Sequence, residues 1–284
     1  MNIEDIKLKL KQYSKEHKKI HQYTLIRFFQ ERFLYRLSLS RYKDYFLLKG
    51  GALVYVFGAE ESRYTKDIDF LLTKLGAEHE NLLIIFKEIG QIQSEDGIIF
   101  NTDQIIIETI QKEGQYTGTR VRISGNLGNI KQQLQIDIGV GDYVTPGPQE
   151  IEYPTIISGL NHPVLKAYSI ETLIAEKFEA MISLGEYNSR MKDFHDIYQF
   201  VETSNLSILF EAIKNTFSRR KTTMVSDHPV FTEEFYKEEK RKKQWNIFIR
   251  KNELNKIDFD KVFEKMIIFL KPIYEKLYLE IGKS

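Results

Sequence analysis

The sequence predicts two parts: a sheet domain of α/β or α+β class, followed by a helical domain. Three observations carry this reading. Short β-prone runs with Gly-bearing turns fill the middle third of the 284-residue chain. Helical periodicity dominates before and after them. Three of the six prolines fall between Thr145 and Pro154, with Pro163 just beyond, and mark a boundary near 145–165. The domains are expected at residues 1–160 and 161–284.

In chain order, Ile3, Ile6, Leu8 and Leu10 open a first helix. A longer amphipathic helix follows over His21–Tyr45, where Leu25, Phe28, Phe29, Arg32, Phe33 and Leu37 recur at three- and four-residue spacing. Gly50-Gly51 interrupts it, and residues 52–57 suit one short helix before a loop over 58–62. Asp67–Leu72 alternates and then turns apolar, as a strand half exposed at its start. Glu80–Ile92 is helical. Gln104–Thr109, Thr119–Ser124 and Gln133–Val140 read as strands. Beyond the prolines, Ser169 suits an N-cap with Thr172 at its third position, an incomplete capping box. Helices are then expected near 169–181 and at Lys192–Val201, Leu206–Phe217, Phe231–Arg250 and Asp258–Leu279.

Composition removes whole classes of function. There is no cysteine, which excludes disulfides, thiolate metal sites and a cysteine nucleophile. No apolar run approaches the roughly 18 residues of a membrane span. The charged N-terminus lacks the apolar stretch of a signal peptide, so the expected location is cytoplasmic, with no membrane partner. The near-balance of 41 Lys and Arg against 40 Asp and Glu hides a pattern. Residues 1–49 carry twelve basic and five acidic residues, residues 50–175 nine and seventeen, and residues 214–251 eleven and five. Basic flanks around an acidic middle suit a polyanion-binding surface around a carboxylate site, or else solvated helical faces.

The acidic middle holds the sharpest pattern. Residues i and i+2 of a strand share a face, so Asp67 and Asp69 present two carboxylates side by side. Two such charges resist joint ionisation unless a cation lies between them, and Mg²⁺ suits carboxylate oxygens combined with substrate phosphates. Gly50-Gly51 lets a backbone turn approach a phosphate, with the amides of a following helix aimed at it. Asp137, on a later strand, is the candidate third carboxylate, either for a second metal or to activate an attacking hydroxyl. Its plainer reading is a cap on a neighbouring turn. Further on, Lys177 lies in an apolar helix face. It is either a snorkelling surface residue or a cation for nucleotide phosphates. Asp193 and Asp196 share one helical face, where they pair with Lys177 or Arg190, or reach a nucleotide. The plainer reading of this second group is a surface ion-pair network between two helices.

Four ordered motifs together support a resemblance. They are the segment 49–58 with its glycine pair, Arg63-Tyr-Thr65-Lys-Asp67-Ile-Asp69, the helix around Glu176-Lys177, and Arg190-Met-Lys-Asp193-Phe-His-Asp196-Ile-Tyr. Over roughly residues 45–203 the chain resembles the AbiEii/AbiGii-type nucleotidyltransferase toxins. The resemblance implies an α+β, DNA polymerase β-like nucleotidyltransferase core with a mixed sheet, and a helical C-terminal domain that completes the nucleotide site. It implies a toxin of a type IV toxin–antitoxin or phage abortive-infection system. The activity implied is Mg²⁺-dependent transfer of a nucleoside monophosphate from a triphosphate to RNA, at the tRNA 3′ acceptor end, with Mn²⁺ as a substitute metal. Residue by residue, it places Gly50 and Gly51 in the phosphate loop, Asp67 and Asp69 at the metal, and Arg63 and Thr65 on the approach to the metal strand. It places Lys177 on the nucleotide and Asp193 or Asp196 as the last acid. Asp137 fits the third carboxylate, and Arg190 belongs to the nucleotide-binding set. An antitoxin from a neighbouring gene is the implied partner. The family's common Gly-Ser is Gly51-Ala52 here, so backbone amides must serve the phosphate. The alternatives are an acceptor that is a protein or small molecule, or a GTP- or NTP-binding toxin without turnover. Residues 205–284 carry no motif. The run Lys240–Lys243 with Trp245 and Phe248 suits either RNA stacking or a helix with its aromatics in the core.

Overall fold

The computed structural model describes residues 1–112 and 116–281. They divide into two compact units, Met1–Gly141 with Pro148–Ala167, and Asp142–Gly147 with Tyr168–Ser284.

The first unit begins with α1 (Ile3–Glu16), α2 (His21–Leu39), β1 (Phe46–Lys49) and α3 (Gly50–Gly58). It continues through β2 (Asp67–Leu72), α4 (His79–Gln91), β3 (Ile98–Lys112), β4 (Tyr116–Leu127), β5 (Ile130–Val140), β6 (Gln149–Glu152) and β7 (Val164–Ala167). Among the described residues the seven strands form one sheet, ordered β3-β4-β5-β2-β1-β7-β6. It is a mixed sheet. β2 runs parallel to β5 and β1 to β7, while the other neighbours are antiparallel. The α+β expectation is met.

Short aromatic contacts fill the space between helices and sheet. Phe33 stacks on Phe86 at 5.7 Å, and Phe46 meets Phe70 edge-on at 5.4 Å. α2 ends at Leu39, earlier than the periodicity suggests, because Ser40 turns extended and its hydroxyl closes on the Leu37 carbonyl. α2 is also buried beyond one stripe. Glu31, Arg32 and Arg36 are all inside, and the Arg36 guanidinium grips Asp96 with both nitrogens, at 2.6 and 3.0 Å. Part of the basic charge of residues 1–49 is therefore internal, and its exposed lysines sit mainly on α1.

The second unit is helical: α5 (Ile170–Leu184), α6 (Met191–Phe200), α7 (Leu206–Arg220), α8 (Glu233–Lys237), α9 (Glu239–Lys251), α10 (Phe259–Phe269) and α11 (Lys271–Ile281). Ser169 caps α5 as the sequence suggests, its hydroxyl accepting from the Thr172 amide at 3.1 Å. Two expected long helices are each broken. The first breaks at Glu238, whose backbone leaves the helical region (ψ 117°), and the second at Leu270, two residues before Pro272. Trp245 is 1% exposed and donates from its indole nitrogen to the Ile257 carbonyl. Arg241 is buried too, its guanidinium spent on the carbonyls of Phe235, Asn188 and Glu186. Trp245 therefore follows the reading with aromatics in the core, while buried Arg241 is neither the solvated charge of that reading nor an RNA-facing one. No helix among the described residues is long and apolar enough to cross a membrane.

Candidate active site

In the sheet unit, β1 delivers the chain to the glycine pair. Phe46–Lys49 is buried at every position, so both faces of this short strand are covered. Lys49 is the register partner of Asp69 across the antiparallel β1–β2 pair. The next residue, Gly50, has φ +64°, a left-handed conformation that favours glycine. A Cβ built on it would lie 2.1 Å from Asp69 Oδ2. A Cβ on Gly51 would lie 2.5 Å from Thr65 Oγ1 and 3.2 Å from Arg63 Nη1. The two glycines therefore let the start of α3 press onto Asp69, Thr65 and Arg63. The N-cap residue Lys49 makes no side-chain cap to α3, whose leading amides lie at this same turn.

Asp67 and Asp69 are both partly exposed on β2, while Ile68 and Phe70 between and beyond them are buried. Thr65 Oγ1 donates to the Asp67 carbonyl at 3.2 Å and so pins the approach to the strand. On the other side of β2, parallel β5 places Asp137 in register with Asp69. The sheet thus brings Gly50, Gly51, Arg63, Thr65, Asp67, Asp69 and Asp137 into one neighbourhood.

Asp137 is engaged in a way the sequence did not reveal. Arg120, its register partner on β4, donates from Nε to Oδ1 at 2.8 Å and from Nη2 to Oδ2 at 2.9 Å. The Asp137 bond, and beyond it the charge of Asp67, holds the Arg120 guanidinium above its ordinary range. Only the alternation of residues 119–123 was readable, with Arg120 and Arg122 on one face. The strand neighbour was not. Lys49, 8% exposed beside Asp69, is a second cation that sequence reasoning passed over, since nothing marked residues 46–49 as a strand.

A metal fits part of this set. Asp67 and Asp69 are hard oxygen donors on one face beside a helix start, and Mg²⁺ completes its shell with phosphate and water oxygens. Among the described residues no three carboxylates or imidazoles are placed to cage an ion by themselves, and both oxygens of Asp137 are bonded to Arg120.

In the helical unit, Lys177 lies 3.0 Å from Asp193 Oδ1 and 2.6 Å from Asp196 Oδ2. Both acids are fully buried and Lys177 is 7% exposed. Arg190 Nε lies 2.6 Å from Asp193 Oδ2, a charge contact rather than an aligned hydrogen bond. Burial raises the Asp193 carboxyl, but Lys177 and Arg190 outweigh it and hold the group below its ordinary value. So Lys177 does not snorkel, and the pairs are not on the surface. Lys177, Asp193 and Asp196 form a buried network that joins α5 to α6, with Arg190 partly exposed at its edge. Beside it, Arg220 contacts Glu179 at 2.7 Å and Glu176 at 3.2 Å, a hub that no motif announced.

The family model described as "Nucleotidyl transferase AbiEii toxin, Type IV TA system" matches residues 32–265. No curated protein sequence matches the chain. Among solved structures, one similar fold is that of MenT4, a nucleotidyltransferase toxin of Mycobacterium tuberculosis. It has 12% identity and a TM-score of 0.55, over 95% of this chain and 98% of that one. JHP933 of Helicobacter pylori is 19% identical, with a TM-score of 0.48, over 89% of this chain and 92% of that one.

Proposed function

The chain belongs to the AbiEii family of nucleotidyltransferase toxins of type IV toxin–antitoxin systems, and from that premise we propose that it transfers a nucleoside monophosphate from a triphosphate to RNA. The acceptor we assign is the tRNA 3′ end, so that transfer blocks translation. The observation that carries this reading is the glycine turn of α3, seated on Asp69 with Asp67 on the same face of β2.

In the reaction, the acceptor hydroxyl oxygen forms a bond to the α-phosphorus. The bond from that phosphorus to the pyrophosphate oxygen breaks, and the hydroxyl proton passes to a base, for which the Asp137 carboxylate or a water is the candidate. Amides at the start of α3 bind phosphate oxygens, and the Arg63 guanidinium and Thr65 hydroxyl beside Gly51 orient them. Asp67 and Asp69 would hold Mg²⁺, or Mn²⁺ in its place. When bound, that ion supplies positive charge to the phosphate oxygens. Asp137, held by the Arg120 fork, keeps a free lone pair on each oxygen and is the candidate ligand or proton acceptor. In the helical unit we assign Lys177 and Arg190 to the nucleotide, with Asp193 and Asp196 holding those cations in position. A cognate antitoxin encoded nearby and a cytoplasmic location accompany the assignment.

The test incubates purified protein with total RNA, Mg²⁺ and each labelled triphosphate in turn. Wild-type protein should label a tRNA-sized species. Asp69→Ala should abolish both labelling and growth arrest, and EDTA should abolish labelling. A folded Asp69→Ala protein that still transfers nucleotide would sink the reading. Label appearing on protein or a small molecule, insensitive to salt, would change the acceptor, because RNA binding weakens steeply as salt rises.

A further inference from the structure

The face of the sheet that carries Asp67 and Asp69 does not end at β2. Side chains of register partners project to the same face, so each row can be followed from strand to strand. One row runs from Asp69 through Asp137 and Arg120 to Glu108, on β2, β5, β4 and β3. The next runs from Asp67 through Gln135 and Arg122 to Ile106. A third lies beyond the start of β2 and sets Gln133 beside Ser124. The opposite face is core: Ile68, Ile136, Val121 and Ile123 are all buried.

The polar face is closed on one side and open on the other. Towards β1, Leu47 and Lys49 are buried beside Leu71 and Asp69. Towards β3, Gln135 and Ser124 are half-buried, Gln133 is exposed, and the Arg122 side chain keeps 27% of its surface. Beyond Asp137, the acid in these rows is Glu108, and Arg122 answers it at 2.8 Å. The open stretch restricts what can lie on it. Amides, a hydroxyl and a guanidinium suit phosphate oxygens and ribose hydroxyls, contacts that position a nucleic acid without reading its bases. A protein partner needs apolar side chains at the centre of its patch. Here the exposed apolar ones, Ile99 and Ile106, sit at the rim, on edge strand β3. Strands lie about 4.8 Å apart, so the stretch from β5 to β3 is about 10 Å wide, and one side of it adjoins Asp137.

We propose that the open sheet face across β5, β4 and β3 is the bed of the RNA acceptor. Arg122 and the Gln133 amide hold its backbone phosphates, so that the terminal hydroxyl reaches the α-phosphorus beside Asp67 and Asp69. The choice of RNA rests on the nucleotidyl-transfer reading; the surface itself rests on the rows and their one-sided exposure.

Equilibrium binding to the full chain tests this. The probes are a single-stranded eight-nucleotide RNA with a free 3′ hydroxyl and, separately, each of the four nucleoside triphosphates with Mg²⁺. The variants are Arg122→Gln, which removes the charge, and Gln133→Glu, which sets a negative charge at an exposed position. Lys11→Gln combined with Lys15→Gln, at exposed positions of α1, controls for positive charge lost elsewhere. Circular dichroism and Tm monitor folding. Arg122→Gln and Gln133→Glu should each bind RNA at least fivefold more weakly, while triphosphate binding stays within twofold. For Arg122→Gln the slope of log affinity against log salt should also shrink by about 0.7, the share of one phosphate on a single strand. If Arg122→Gln does not fold, Gln133→Glu carries the comparison. Folded variants that bind RNA within twofold of wild type overturn the proposal, even if wild-type protein labels RNA. So does RNA binding that only the α1 variant weakens. Conversely, RNA binding that weakens as expected, in a protein that transfers nothing, leaves the surface standing and removes the reaction.

Discussion

The two units treat their carboxylates in opposite ways. In the helical unit, Asp193 and Asp196 are sealed from solvent and share Lys177, and Arg190 adds a second positive charge. In the sheet unit, Asp67 and Asp69 stay partly exposed beside a backbone turn. A sealed network has its charges already answered and resists rearrangement. A partly exposed pair beside the start of a helix is one that an incoming cation and phosphate can reach. The same motif-bearing residue types thus hold the proposed nucleotide-facing cations Lys177 and Arg190 in place in one unit and present a partly exposed carboxylate pair in the other. Substitution can break or sharpen that contrast.

The largest effect should come from Lys177→Met. It leaves two buried carboxylates with one fewer cation, and breaking a buried pair costs about 3–5 kcal/mol. Tm should fall sharply, whatever happens to transfer. A variant with wild-type Tm and no transfer would show that the network is not what holds α5 to α6. Gly50→Ala should do the reverse. The new methyl would sit on the Asp69 carboxylate, at a backbone conformation that costs a non-glycine residue about 1–3 kcal/mol. Transfer should drop at least a hundredfold, with a Tm loss smaller than that of Lys177→Met.

Acid and base titration of Tm probes the contrast further, through two buried carboxyls that shift in opposite directions. Burial pushes Glu31 in the sheet unit from 4.5 up to about 7, against the opposing charge of Arg32. A raised carboxyl stabilises the fold fully below its unfolded value, and that contribution is lost as pH rises towards 7. Asp193 is lowered, so its contribution is present above the ordinary Asp range near pH 4 and is lost as pH falls below it. Glu31→Gln should therefore remove a Tm decline of a few degrees between pH 4.5 and 7. The Lys177 and Asp193 pair should account for a decline below pH 4. The smallest effect is expected for Arg120→Met. Removing the fork from Asp137 should lower Tm by about 2–4 °C. It should also reduce several-fold the Mg²⁺ needed for half-maximal transfer.

The sequence made the glycine pair, Asp67 and Asp69 legible because their meaning is local: a turn, then a period-two strand. Ser169 was legible for the same reason. Arg120 on Asp137 was not, because that contact depends on which strand lies beside β5. Residues 46–49 were hidden because a short apolar run covered on both faces carries no period at all. Trp245 was ambiguous because Arg241, buried on backbone carbonyls, reads as a surface charge. The break at Leu270 was foreshadowed by Pro272. The break at Glu238 had no such marker.

The parallel pairing of β2 with β5 has a consequence for how the protein comes into being. Asp69 and Asp137 are register partners drawn from distant stretches of chain, with α4, β3 and β4 made in between. Contacts between such remote segments close late, after loop entropy has been overcome. A nascent or truncated chain that stops short of Ile130 holds the glycine turn and the Asp67–Asp69 strand without the neighbour that flanks them. For a cell that synthesises a toxin on its own ribosomes, that topology postpones assembly of the carboxylate face until most of the sheet unit has been translated.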